Sequence, residues 1–314
     1  MYAVPHDFLH RPFARAEALA SGITRGVLQG RQFVRVYDGV YCHRDHEPSF
    51  ADRIAAARLA LPDGALTTGV TRLQELGIDV GPRWPLHFVV EGDHHLAIDG
   101  IFLHRTVKIP SNDDGGVSIE AAFVAFCAES RLLDAITLGS VLVNKEVLDL
   151  DRLEVILRDE KWRRGVSETA YALPYVEGRC RSVPEVELFS YVVFAGLPVP
   201  EVNRPITVGG VELTPDLLFD DHRLVVEYEG SQHQEERAQY NADIDRYALY
   251  RRNDVPYELV TKERMRSPRA TVRLVHSALV AEGYAGPPPA FGETWALLFR
   301  PLPELVRRRA PRRR

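Results

Sequence analysis

Long apolar runs are missing from this 314-residue chain. No stretch reaches bilayer-spanning length, so no transmembrane helix is expected. The start, MYAVPHDFLHRPF, lacks a basic segment followed by an apolar core, so no secretory signal is expected. Cysteine is scarce. Cys42, Cys127 and Cys180 are odd in number and far apart, which excludes a disulfide framework and a C-x-x-C metal knuckle. The expectation is a reduced, cytoplasmic protein. An excess of positive charge is also lacking. The net charge of −5 argues weakly against a nucleic-acid partner, although distribution matters more than the sum. There is no internal repeat.

The residues that are present describe an ordinary folding chain. Hydrophobic residues make up 45% and charged residues 26%, and the length suits two compact domains better than one small core. Six arginines at positions 307–309 and 312–314 lie in the final stretch, and without them the net charge of −5 would be −11. This tail reads as a solvated end. Its functional alternative is a sequence-blind phosphate contact.

Residues 1–50 read as helix, turn, helix and hairpin. Phe13 to Ala20 is helix-forming, and Ser21-Gly22 punctuates. Thr24 caps a short second helix through Gln29 that Gly30 ends. FVRVYDGVYCH then alternates around Asp38-Gly39, a hairpin signal. This is the order of a winged helix. Arg25, Arg31 and Arg35 are candidate phosphate contacts, and a protein-docking winged helix is the alternative. Residues 51–165 form an α+β middle region: helices in 51–79, short strands in 86–107 with turns at Gly92 and Asp99-Gly100, then helix over 118–158. Cys42, His43 and His46 read as a surface turn, because a closing ligand pair is missing. His94 and His95 fall in a turn with no partner at ligand spacing.

A boundary is expected near 160–182. From 180 to 285 the pattern reads helix (184–195), strand (205–208), strand (211–219), strand (224–229), helix (234–252), strand (256–260) and helix (269–281). That is a mixed sheet with flanking helices. The overall class is α/β, or α+β over the whole chain. Residues 286–314 read as a Pro- and Arg-rich irregular tail.

The acids of TPDLLFDDHRLVVEYEGSQH carry the functional argument. Strand alternation puts Val225, Glu227 and Glu229 on one face. With Asp221-His222 at a hairpin tip, Phe219 pairs with Leu224, Leu218 with Val225, Leu217 with Val226, and Asp216 with Glu227. Facing like charges destabilise a sheet by up to about 1 kcal/mol, and burial adds to that. Such a pair is kept for a cation or a shared proton. Glu185 lies on the inward face of its helix with Leu188, Phe189 and Val192. Ser182-x-x-Glu185 is equally a capping box. Carboxylates suit Mg2+ or Mn2+, whose bound water is a better nucleophile and whose charge stabilises a cleaved phosphodiester. His233 follows the Gly230 turn, where it is a candidate to orient water, donate to a phosphate or act as general acid. Asp243 and Arg246, three apart, form either an intrahelical ion pair or a DNA-backbone contact through Arg246.

The run Glu185, Pro215-Asp216, Glu227-x-Glu229-Gly230, His233 resembles the PD-(D/E)XK nuclease superfamily. It is more closely similar to very-short-patch-repair-like endonuclease domains, which continue into an Asp/Arg-bearing helix and final strand as YNADIDRYALYRRNDVPYELV does. The likeness covers roughly residues 181–265. It implies a restriction-endonuclease-like fold, Mg2+ or Mn2+ at Asp216, Glu227 and Glu185, assistance from Glu229 and His233, and DNA as substrate. GITRGVLQGRQFVRVYDGVYCH and ALTTGVTRLQELGI resemble AbiEi-like winged-helix antitoxins or transcriptional regulators. That likeness implies DNA binding in a defence or toxin–antitoxin setting, with a cognate toxin or a second subunit as protein partner. One departure stands out. The superfamily's lysine, two residues after its Glu, is replaced by Glu229, and a carboxylate cannot stabilise an attacking hydroxide. That leaves open a two-metal site, a migrated basic residue for which Lys262 is a candidate, or a domain that binds without cutting. Three readings follow: a metal-dependent DNA endonuclease with a winged-helix module, a non-enzymatic DNA-binding regulator on a degenerate nuclease fold, and an antitoxin with a protein partner.

Overall fold

The computed structural model describes residues 2–113, 115–230 and 237–309, excluding the side chains of 237–243 and 308–309. The architecture is α/β, with mixed sheets flanked by helices, divided into compact units at residues 1–126 and 127–314. No helix among the described residues is long and apolar enough to cross a membrane.

The first unit opens with β1 (Phe13–Ala14), α1 (Arg15–Ala20), α2 (Arg25–Leu28), β2 (Phe33–Tyr37) and β3 (Val40–His43). The order is helix, helix, hairpin, but the helices are shorter than their sequence pattern. Phe13 and Ala14 pair with Tyr41 and Val40, so the first helix starts at Arg15. Thr24 Oγ1 accepts from Val27 N at 3.4 Å and caps α2. Gly39 turns the hairpin at φ 72°, a conformation that glycine adopts without strain. Phe8, Phe13, Ile23, Leu28 and Phe33 form the core beneath. Next come α3 (Phe50–Ala60), β4 (Leu66–Thr67), α4 (Gly69–Glu75), β5 (Leu86–Glu91), β6 (Ile101–Thr106) and α5 (Ile119–Cys127), which crosses the division. Ser49 and Asp52 make a reciprocal capping box on α3. β5 and β6 run parallel, joined only by residues 92–100. Parallel neighbours usually need a connection of about a dozen residues or more. Here Gly92 and Gly100, both at positive φ, turn the two ends of the return.

The second unit contains α6 (Leu132–Asn144), α7 (Leu150–Asp159), α8 (Val166–Ala172), α9 (Val183–Phe194), β7 (Glu201–Val202), β8 (Ile206–Val208), β9 (Val211–Leu213), β10 (Leu217–Phe219), β11 (Leu224–Glu229), α10 (Arg237–Arg252), β12 (Tyr257–Thr261), α11 (Lys262–Met265), α12 (Pro268–Ala281), α13 (Glu293–Leu297) and α14 (Leu302–Arg309). Its sheet has the order β12-β11-β10-β7. β11 and β12 are parallel, with α10 as crossover, and the other pairs are antiparallel. β8 and β9 make a separate hairpin.

Three expectations need correcting. The compact units divide at 126/127, not within 160–182, because α6 packs on α9 and α8 on α14. The polar stretch that looked like a linker contains α8. The single strand expected over 211–219 breaks at Thr214-Pro215-Asp216, since Pro215 has no N–H for a ladder. Residues 286–309 are not an irregular tail. Trp295, Leu298, Leu302 and Leu305 are buried, and Leu132 N and Leu133 N donate to Arg300 O and Leu298 O at 3.1 and 2.9 Å. Positions 310–314 of the arginine tail lie outside the described residues.

Candidate functional site

The site grows from the β10–β11 hairpin. Its register is Phe219 with Leu224, Leu218 with Val225 and Leu217 with Val226. The turn closes by Arg223 N donating to Asp220 O at 3.0 Å, with Arg223 left-handed at φ 51°. One step past the paired residues, Asp216 faces Glu227. Each backbone binds the other strand's carboxylate: Asp216 N donates to Glu227 Oε2 at 3.3 Å, and Tyr228 N to Asp216 Oδ2 at 2.7 Å. Glu227 is only 3% exposed.

Helix α10 supplies what holds Glu227. Tyr250 Oη donates to Glu227 Oε1 at 2.9 Å, and Arg246 Nη1 approaches the same oxygen at 3.4 Å. The two residues are one helical turn apart, so both reach the same face. Tyr250 is fully buried with Val208, Leu218 and Val225. The helix therefore carries an apolar anchor and two polar contacts on a single stripe.

Glu185 comes from the first turn of α9. Ser182 Oγ accepts from Glu185 N at 3.4 Å and caps the helix. The carboxylate does not return to the N-cap backbone, as a reciprocal box requires. Instead Oε2 accepts from Arg181 N and from Asn203 Nδ2, both at 2.9 Å. Asn203 N in turn donates to Asp216 O at 3.1 Å, so this residue ties Glu185 to the strand of Asp216.

Burial is the first cause pushing the Asp216 carboxyl up to about 7, followed by the charges of Glu227 and Glu185; the Tyr228 N–H and Arg246 oppose them. Burial also raises Glu227, against Arg246, Tyr250 and the Asp216 N–H. Among the described residues, the guanidinium in contact with these acids is that of Arg246, on Glu227. Asp216 Oδ1 and Glu185 Oε1 accept no hydrogen bond from the described residues. The charge and the two open oxygens fit a hard cation. No set of three His, Cys, Asp or Glu side chains at metal-ligand spacing forms among the described residues.

The other candidates fall differently. Glu229 is half-buried at the end of β11, opposite Thr261, and does not join the hydrogen-bonded cluster among the described residues. His233 lies outside the described residues, as does the side chain of Asp243. Lys262 is exposed at the start of α11, and among the described residues the basic group paired with the acids is Arg246. Arg25, Arg31 and Arg35 are exposed in the first unit, and Arg35 pairs with Asp38 at 3.0 Å. The four residues of α2 extend only about 6 Å, too short to lie along a groove as a recognition helix does. Sequence reasoning missed Asn203 and Tyr250. The position of Tyr250, four after Arg246, was a usable signal. Asn203 offered none, because its left-handed backbone at φ 47° depends on the loop it sits in.

No protein-family model matches the chain. It is similar to two curated proteins of Mycobacterium tuberculosis, uncharacterized protein Rv2248 of strain H37Rv and uncharacterized protein MT2308 of strain CDC 1551 / Oshkosh. Each is 26% identical over 219 residues, covering 68% of this chain and 80% of the relative.

Proposed function

We propose that the protein is a Mg2+- or Mn2+-dependent DNA endonuclease with an N-terminal DNA-binding module of winged-helix type. The carrying observation is the meeting of Asp216, Glu227 and Glu185 in one largely buried cluster, where burial first, and the charges of Glu227 and Glu185 second, push the Asp216 carboxyl up to about 7. Asp216 and Glu227 would hold the cation, with Glu185 aligned by Asn203. When bound, the cation supplies an activated water and neutralises charge on the phosphodiester. Tyr250 fixes the orientation of Glu227, and Arg246, partly exposed and already paired with Glu227, would share its guanidinium with a substrate phosphate. Glu229 assists from the end of β11, and His233, four residues further along the sequence, would orient water or phosphate. Arg25, Arg31 and Arg35 contribute phosphate contacts that carry no sequence information.

The test incubates purified protein with plasmid, single-stranded and mismatched DNA in Mg2+, Mn2+ or EDTA, beside the Asp216→Ala/Glu227→Ala double variant. The expected result is cleavage that requires metal and vanishes in the folded double variant. A second reading has its own observation. Arg246 already partly neutralises Glu227 from within, and Glu229 occupies the lysine slot. This favours a DNA-binding regulator that keeps the fold without cutting. On that reading, salt-sensitive DNA binding survives loss of the acids and no substrate is cleaved.

A further inference from the structure

The first unit holds a pair of histidines that the acid site does not use. The parallel register of β5 and β6 places Phe102 beside His87 and His104 beside Val89. His87 and His104 are therefore diagonal neighbours on one face. Their rings lie 5.3 Å apart at 27°, and Phe102 stacks against both, at 5.5 and 4.6 Å. His87 Nδ1 and His104 Nε2 approach to 3.1 Å. The β5 side is fixed by its backbone, since His87 N donates to Thr71 Oγ1 at 2.8 Å and His87 O accepts from Thr68 N at 3.0 Å. Both histidines are half-buried, so the pair has a solvent side.

We propose that His87 and His104 form a two-histidine binding site for a borderline transition-metal ion: Zn2+, Ni2+ or Cu2+. Imidazole nitrogens bind such ions at about 2.0–2.1 Å, which sets two neighbouring ligand nitrogens about 2.9 Å apart at a right angle and about 3.3 Å apart in a tetrahedron. The observed 3.1 Å lies between these limits. The same separation suits one N–H···N bond between neutral rings, so it is metal uptake that separates the two descriptions. Imidazole selects against the hard Mg2+ that the carboxylates of the second unit would take. No third His, Cys, Asp or Glu completes a metal-ligand set among the described residues. The ion therefore keeps positions for water or an incoming ligand. It ties β5 to β6 directly, where the chain connects them only through residues 92–100.

Calorimetric titration of the full chain with Ni2+, Zn2+ and Mg2+ tests this site. The variants are His87→Gln, His104→Gln and the control His10→Gln. His6 and His10, with rings 5.1 Å apart, are another close pair that could chelate. One equivalent of Ni2+ should bind the wild type and His10→Gln alike. Either strand variant should weaken it about ten-fold or more, and Ni2+ should raise the unfolding midpoint only where both strand histidines remain. Excess Mg2+ should not compete. The proposal is overturned if the wild type takes up neither Ni2+ nor Zn2+. It is equally overturned if both strand variants keep wild-type affinity, or if Mg2+ displaces the ion and so locates it at the carboxylates. His104→Gln, on the edge strand, decides the matter should His87→Gln fail to fold by circular dichroism.

Discussion

In the first unit, Arg72 is 4% exposed and each of its three nitrogens finds an acceptor. Nε donates to Val117 O at 2.9 Å, Nη1 to Glu75 Oε2 at 3.0 Å, and Nη2 to Asp113. Glu75 also receives Arg58 at 2.8 Å and Thr67 Oγ1 at 2.6 Å. Two guanidiniums stand against two carboxylates. In the second unit, Glu227 is just as buried and lies with Asp216 and Glu185, but there, among the described residues, the guanidinium paired with the acids is Arg246, 3.4 Å from Glu227. Both clusters pin loops to secondary structure, yet among the described residues only the first balances its charge. A balanced buried network serves structure, because nothing further is needed to satisfy it. An unbalanced one stores an affinity for whatever cation or proton arrives, which is why the second cluster is the functional candidate.

The contrast can be broken experimentally. Arg72→Met should be the most damaging change, costing about 3 kcal/mol in urea unfolding, because it removes three hydrogen bonds at once, those to Val117 O, Glu75 and Asp113. A loss below about 1 kcal/mol would mean that the network is not a structural centre. Tyr250→Phe keeps the ring in its apolar setting and removes one donor to buried Glu227, so about 1–3 kcal/mol should be lost. The effect should be larger at pH 8 than at pH 5, where Glu227, already raised by burial, takes up a proton more readily.

Asp216→Asn should go the other way. The folded carboxyl titrates at about 7, well above the usual carboxylate value. The folded state therefore holds its proton more tightly than the unfolded one. Stability from this group is full below the unfolded pKa of about 3.9 and is lost as pH rises through about 7. The asparagine does not titrate. Its advantage over wild type should open between pH 4 and 7 and level off at about 1–3 kcal/mol by pH 8. A wild type that gains on the variant with rising pH would show that the cluster is compensated after all. Ser182→Ala should have the smallest effect, about 1 kcal/mol, since it removes the cap of α9 but leaves the Glu185 carboxylate on Arg181 and Asn203.

The central strand pair was legible because local chemistry determines it. A four-residue polar break, Asp220 to Arg223, between two apolar runs leaves one sensible register, and that register alone brings Asp216 to Glu227. Strand alternation then aims the acids at α10. The rest depended on contacts distant in sequence. Asn203 meets Glu185 across eighteen positions from a left-handed loop residue. The parallel return from β5 to β6 looked like an ordinary pair of turns, because Gly92 and Gly100 signal a reversal without its direction. The boundary was misplaced since polarity near 160–182 marks the exposed sides of α8 and its flanking turns.

The strands of hydrogen bonds from Leu132 and Leu133 to Leu298 and Arg300, and from Leu302 to Ser130, have a consequence for biosynthesis. They join positions roughly 170 residues apart, so this part of the second unit closes late. The first unit can complete its core while the ribosome is still making α6. The second must wait until α13 and α14 have emerged, and until then the parts of α9 and α8 that they cover stay open. An arrest peptide placed after residue 285 should therefore find the first unit protease-resistant and the second still cleavable.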